Sequence, residues 1–163
     1  MREERHFETL TRHPDWREFI AQDLLLTVLA VALAIIGGLE GVPYPSLFTC
    51  LALAVAFMAY YRWVYLRSTL YIITAEQIIW EHGVFSRSRD YVELYRVVDY
   101  DERRSFMQML LGIKTVVVHS TDRTTPCLRM AGIRRQEDLV GTLRERVSYN
   151  RQRMNIHEIA NYN

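Results

Sequence analysis

The sequence predicts an α+β chain: a two-helix transmembrane hairpin followed by a small antiparallel β-barrel or sandwich with a C-terminal amphipathic helix. Three observations predict it. Residues 24–39, LLLTVLAVALAIIGGL, and 47–61, LFTCLALAVAFMAYY, carry no charge. From Thr69 onward the apolar residues alternate in short runs separated by turn residues. Between Gln136 and Met154, Leu139, Leu143 and Val147 recur at i, i+4 and i+8, with Val140 and Met154 beside them.

The hairpin comes first. A hydrocarbon core about 30 Å thick needs roughly 20 helical residues. Flanking residues extend the two runs to spans over 19–39 and 47–66, with Asp23 and Arg62 near the interface, where Arg62 can snorkel. A charge at the helix centre would cost roughly 2.5–3.5 kcal/mol, so the peripheral placement of both matters more than their number. The rest of the chain must build its own core and has nothing left to cover a buried helical pair on all faces. Trp16, Phe19, Tyr60, Tyr61, Trp63 and Tyr65 gather at one end and Tyr44 and Phe48 at the other, as an aromatic belt requires. The link EGVPYPS is short and has no Lys or Arg, whereas Arg12, Arg17, Arg62 and Arg67 flank the outer ends. The helices are therefore expected to be antiparallel, with both termini cytoplasmic. Thr27, Thr49 and Cys50 are the main polar groups at depth, so a transport path is not expected.

The division that follows is an N-terminal cytoplasmic segment 1–18, the hairpin 19–66, a cytoplasmic domain 67–154 and a loosely ordered tail 155–163. Net charge is +1, but residues 66–163 carry fourteen Arg and one Lys against twelve acids, and residues 1–23 four Arg against six acids. Cys50 lies in an apolar run and Cys127 in a polar region, so no disulfide is expected. No secretory signal is expected, because the first apolar run lacks a small-residue cleavage pattern behind it.

In the domain, strands are predicted over roughly 69–74 and 77–84, joined at Ala75–Glu76. Leu70, Ile72, Ile78 and Trp80 are assigned to one face, and Gly83 to a bulge or sharp twist. SRSRDYVELYR supplies a third strand with Val92 and Leu94 inward. VVDYDERRS supplies a fourth, becoming fully polar. FMQMLLG reads as a helical turn capped by Gly112. KTVVVHSTD and CLRMAGI are strands around an RTTP turn. On the last helix Arg144, Arg146, Arg151 and Arg153 lie mostly off the apolar stripe.

Tyr71-x-Ile73-Thr74, Gly83 with Phe85 and Arg87, Leu94 with Arg96-Val97, and Leu111-Gly112 before TVVV resemble, in order and spacing, the bacterial PH-like domain family of the YdbS/YdbT type. The likeness covers residues 20 to 147 and includes the two preceding spans. It departs from the family pattern at Ile113-Lys114, where a second small residue is usual. The resemblance implies a PH-like, partly open barrel closed by a C-terminal helix. It also implies a bacterial inner-membrane location and protein partners, copies of the chain itself among them. It implies no catalytic residues, and the lipid-reading role of eukaryotic PH domains does not transfer with the fold.

No catalytic centre, cofactor loop or metal site is expected. HEIAN at 157–161 lacks the second His of HExxH. His119, Ser120 and Asp122 are adjacent in sequence and alternate in direction on a strand, unlike a triad. His82 reads as a surface strand residue. Two candidate surfaces remain. Val97, Val98, Asp99, Tyr100 and Asp101 form a strand edge, either protected by charge or open to a partner's strand. Carboxylates there sit beside Arg103 and Arg104, which hold them ionised. Arg87, Arg89, Arg103, Arg104, Arg134 and Arg135 form a basic set able to face an anionic membrane at about 1 kcal/mol each. The mixed charge signs argue against nucleic acid. The function expected is a non-enzymatic membrane-anchored adaptor or scaffold, with a reader of anionic lipid head groups as the alternative.

Overall fold

The computed structural model of the chain describes residues 7–153. Its element order is β1 (Leu10–Arg12), α1 (Arg17–Gly38), α2 (Pro45–Ser68), β2 (Leu70–Ile73), β3 (Gln77–His82), β4 (Ser88–Glu93), β5 (Val97–Arg103), α3 (Phe106–Leu111), β6 (Ile113–Ser120), β7 (Cys127–Arg134) and α4 (Leu139–Arg153). A 3-10 turn, Leu94–Arg96, joins β4 to β5.

Both α1 and α2 are long and apolar enough to cross a membrane. Only 17% and 11% of their most apolar windows are buried inside the protein, unlike the core helix of a soluble domain. Apart from Asp23 near one end, the buried residues along the two facing helices are small: Ala30, Ala52 and Ala59. Small residues let helix backbones approach closely without a hydrophobic driving force between them. Pro45 opens α2 at a position where its missing N–H costs nothing.

Among the described residues, seven strands make two antiparallel sheets, β1-β2-β3-β4 and β5-β6-β7. The first holds a strand that no periodicity in the sequence marks. Leu10–Arg12 pairs with β2, Leu10 opposite Ile73 and Arg12 opposite Tyr71, so the helical pair is inserted between two neighbouring strands of one sheet. The strand phase in β2 also differs from expectation. Tyr71 and Ile73 are buried, not Leu70 and Ile72, and Tyr71 lies opposite Trp80 and Ile73 opposite Ile78. LYII is apolar on both faces, so alternation alone cannot set its phase. The Tyr71 hydroxyl decides it by accepting from Ala131 N at 3.2 Å and reaching Arg129 O at 3.4 Å across the core. Burial pushes that phenol up to about 12, against the Ala131 hydrogen bond.

The core lies between the sheets, from Tyr71, Ile73, Ile78, Val92, Leu94 and Val97 to Val116, Val118, Leu128, Met130 and Ile133. Leu139, Leu143 and Val147 of α4 close it. Gly83 ends β3 and forms the turn to β4 instead of a bulge within a strand. Its φ is +114°, and a Cβ there would lie 1.9 Å from Ser86 O. Gly132, at φ +71°, lets β7 approach Pro14 and Asp15, so that Asp15 N donates to Gly132 O at 2.9 Å.

Candidate functional site

The barrel has two ends, and the strand directions decide what each presents. One end receives α1 and α2; it holds the β3–β4 turn, the close of β5, α3 and the close of β7. The other holds the β2–β3 turn, the start of β5, the β6–β7 turn and the last turns of α4.

At the hairpin end, α3 is fastened to α1. Ser105 and Gln108 form a capping box, whose S-x-x-Q spacing is the sequence signal that marks this site. The Gln108 Nε2 then donates to both Glu18 carboxylate oxygens, at 3.0 and 2.9 Å, and to Thr115 Oγ1 at 2.9 Å. Glu18, only 1% exposed, also accepts from Gln22 one turn along α1. Arg17 Nη1 donates to Leu111 O at 3.1 Å, and Arg134 pairs with Asp15 at 3.2 Å. On the other side, Tyr65 of α2 meets His82 edge-on at 6.3 Å and Tyr61 stacks on Phe85 at 6.4 Å.

A cleft of about 410 Å³ lies between these attachments. Phe19, Tyr61, Tyr65 and Trp80 supply its aromatic walls, Glu18 and Asp23 its carboxylates. Arg62 pairs with Asp23 across the helices at 2.7 Å. An opposite charge within reach on the neighbouring helix satisfies the guanidinium where it stands.

All six arginines of the basic set are exposed, and all lie at the hairpin end. Four meet carboxylates: Arg89 with Glu81 (2.7 Å), Arg103 with Asp101 (3.0 Å), Arg104 with Glu102 (3.1 Å) and Arg134 with Asp15. Among the described residues Arg87 and Arg135 have no ion pair. The carboxylates are held below their ordinary values, Asp101 by Arg103 and then His119, Glu102 by Lys114 and then Arg104. Lys114 is buried at the head of β6, and its ammonium reaches Glu102.

The strand edge begins at the opposite end. Val97 is buried and its carbonyl accepts from Arg151 of α4 at 2.6 Å. Val98 is exposed beside an irregularity in the β5–β6 register, and the Asp99 carboxylate accepts from Tyr100 N at 2.8 Å. Tyr100 packs against the core, and burial pushes its phenol up to about 12. The chain's own side chains thus occupy this edge at two points, leaving Val98 as its open apolar residue. Next to it, Arg146 departs from the expectation that it lies off the helix stripe. It is 3% exposed and donates to Ile73 O and Thr74 O at 2.8 Å and to Glu8 O at 2.6 Å. Burial lowers its pKa. Its stem follows the apolar stripe while its head caps carbonyls at the strand ends, a use of Arg that periodicity cannot show.

His119 and Asp101 approach at 3.4 Å, but Ser120 Oγ donates to Thr125 O at 2.8 Å and so ties the β6–β7 turn. Among the described residues no three His, Cys, Asp or Glu side chains gather as metal ligands would. HEIAN and the tail lie outside the described residues.

The sequence matches the bacterial PH domain family over residues 23–147, which is most of the chain. The chain belongs to the bacterial PH domain family. No curated protein and no solved structure matches it. The matched stretch begins inside α1 and ends inside α4, so the match takes in most of the helical pair together with the barrel.

Proposed function

We propose that the protein is a membrane-anchored, non-enzymatic adaptor of the bacterial inner membrane, multi-pass with both termini cytoplasmic. Its PH-like domain recruits a protein partner or assembles with copies of itself. The observation that carries this reading is the double fastening of the barrel to its helices, through Glu18–Gln108 on α1 and Tyr65–His82 on α2. With the helices in a bilayer, the domain is held in one pose and its far end is presented to the cytoplasm. Val98 is then the apolar residue of that end's strand edge, and a partner strand added there would supply main-chain hydrogen bonds. The test is gentle detergent extraction of the full chain, with mass spectrometry of what accompanies it. A stoichiometric protein, or a second copy, that is lost in Val98→Pro with the thermal melt unchanged supports the adaptor. Retention of the same partner by Val98→Pro removes the edge from consideration.

A second reading, that the domain reads anionic lipid head groups, is favoured by the collection of all six arginines at the hairpin end. Its discriminating variant is Arg87→Glu with Arg135→Glu, the two without ion pairs among the described residues. Anionic lipid retained by the wild type and lost from this variant, with partner capture intact, would favour the lipid reader.

A further inference from the structure

The six-residue helix α3 is inside out. Phe106, Met109 and Leu110 stand at i, i+3 and i+4 on one face, and they are 75%, 54% and 72% exposed. The polar Gln108 is the residue turned inward, bonded to Glu18. A surface helix ordinarily does the reverse, burying its apolar stripe. The β3–β4 turn has the same property in miniature, because Phe85 at its tip is 93% exposed, with the Tyr61 ring 6.4 Å away.

These two features lie about 10 Å apart along the helices, α3 at the ends nearest the barrel and Phe85 further along, because Asp23 of α1 is level with Arg62 of α2. Gln108 and Leu111 of α3 are pinned to Glu18 and Arg17, the first turn of α1, beside the exposed Trp16. Tyr61 lies seven residues before the end of α2 at Ser68, so Phe85 hangs about 10 Å down that helix at 1.5 Å per residue. Basic residues flank both: Arg87 follows Phe85 by two positions, and Arg104 precedes Phe106 by two. Apolar side chains next to arginines, at the depth where a span leaves hydrocarbon, have the composition of an interfacial anchor. The two patches sit on different helices of the pair. A bilayer of the kind the helices cross offers its interface to α3 and its outer hydrocarbon to Phe85, whereas a single protein partner would have to pass around the hairpin.

We infer that Phe85 and the Phe106–Met109–Leu110 face of α3 are two membrane-inserted feet that seat the PH-like domain in the cytoplasmic leaflet on either side of the hairpin. The inference rests on the reading of α1 and α2 as membrane spans. It makes the domain's orientation a property of the barrel as well as of the tether, and it gives the nearby arginines the head-group layer to work in.

The test uses the full chain with Cys50 and Cys127 changed to Ser, reconstituted in vesicles of phosphatidylethanolamine with a minority of phosphatidylglycerol. A nitroxide is placed on a single cysteine at position 85, 106 or 110. Position 98 serves as the aqueous reference and position 31, exposed in mid-α1, as the bilayer reference. The readout is the ratio of collisions with oxygen to collisions with a water-soluble nickel chelate. Ratios at 85, 106 and 110 several-fold above that at 98, and below that at 31, are expected. Ratios at 85 and 110 equal to that at 98, with 31 high, would overturn the feet and leave the spans intact. An aqueous value at 31 would overturn the span reading and the feet with it. Occlusion from both reagents at 85 and 110, with concentration-dependent spin–spin broadening, would assign the patches to a second copy of the chain and overturn the lipid occupant.

Discussion

The two ends of the barrel use polar and apolar residues in opposite ways. At the far end, Arg146 and Asn150 of α4 turn inward and, with the exposed Arg151, cap the carbonyls of Ile73, Thr74, Ala75 and Val97 over a closed apolar core. At the hairpin end, an amide and a carboxylate are buried between α1 and α3, while Phe85, Phe106 and Leu110 face outward. The first end is what a domain surrounded by water builds. The second inverts that pattern, which is what the proposed seating in the bilayer interface requires.

Breaking the far end should have the largest effect. Arg146→Ala leaves three carbonyls without their donor and is expected to cost roughly 3 kcal/mol in a denaturant titration, since a buried charged donor is lost. Arg146→Lys should recover only part of it, because one ammonium cannot reproduce the guanidinium fork. At the hairpin end, Gln108→Leu removes the donor that Glu18 needs, at about 2 kcal/mol. Its signature is local: faster amide exchange in α3 and the first turn of α1, with the β2–β3 turn unchanged. Gly83→Ala should cost about 1–3 kcal/mol through the strained turn, and its chemical-shift changes should stay within β3, β4 and the neighbouring Tyr61.

The smallest effect is in pH. Asp101 and Glu102 have pKa values lowered from 3.8 and 4.5 in the folded state. Their stabilisation is therefore fully present above those ordinary values, and it is lost as pH falls through the lowered ones. Melting temperature measured against pH should be flat above the carboxylate range and decline below it. In Lys114→Met the decline should be shallower, because Lys114 is the largest influence on Glu102.

The helices are legible in the sequence because a charge-free run of bilayer length, apolar on every face, fits hydrocarbon far better than the surface of a small domain. The α4 stripe is legible because Leu139, Leu143 and Val147 repeat at the helical period. What escapes the sequence depends on distant partners. Leu10–Arg12 is too short to show a period and becomes a strand only by meeting β2, across the whole helical pair. Arg146 looks like a surface cation until the strand ends it caps are in place. Gln108 looks like an ordinary polar residue until Glu18 is found beside it. The six arginines are visible in the sequence, but their gathering at one end follows from strand directions that composition does not contain.

The insertion of the helical pair between β1 and β2 also sets an order of events. Leu10 cannot meet Ile73 until both helices have been made and brought side by side, so the outer strand of the first sheet waits while everything between it and its neighbour is assembled. Closing so long a loop is cheap only after the helices have already drawn its ends together. The three residues Leu10–Arg12 thus act as a latch across the helical pair, and their pairing with β2 depends on the two helices lying side by side.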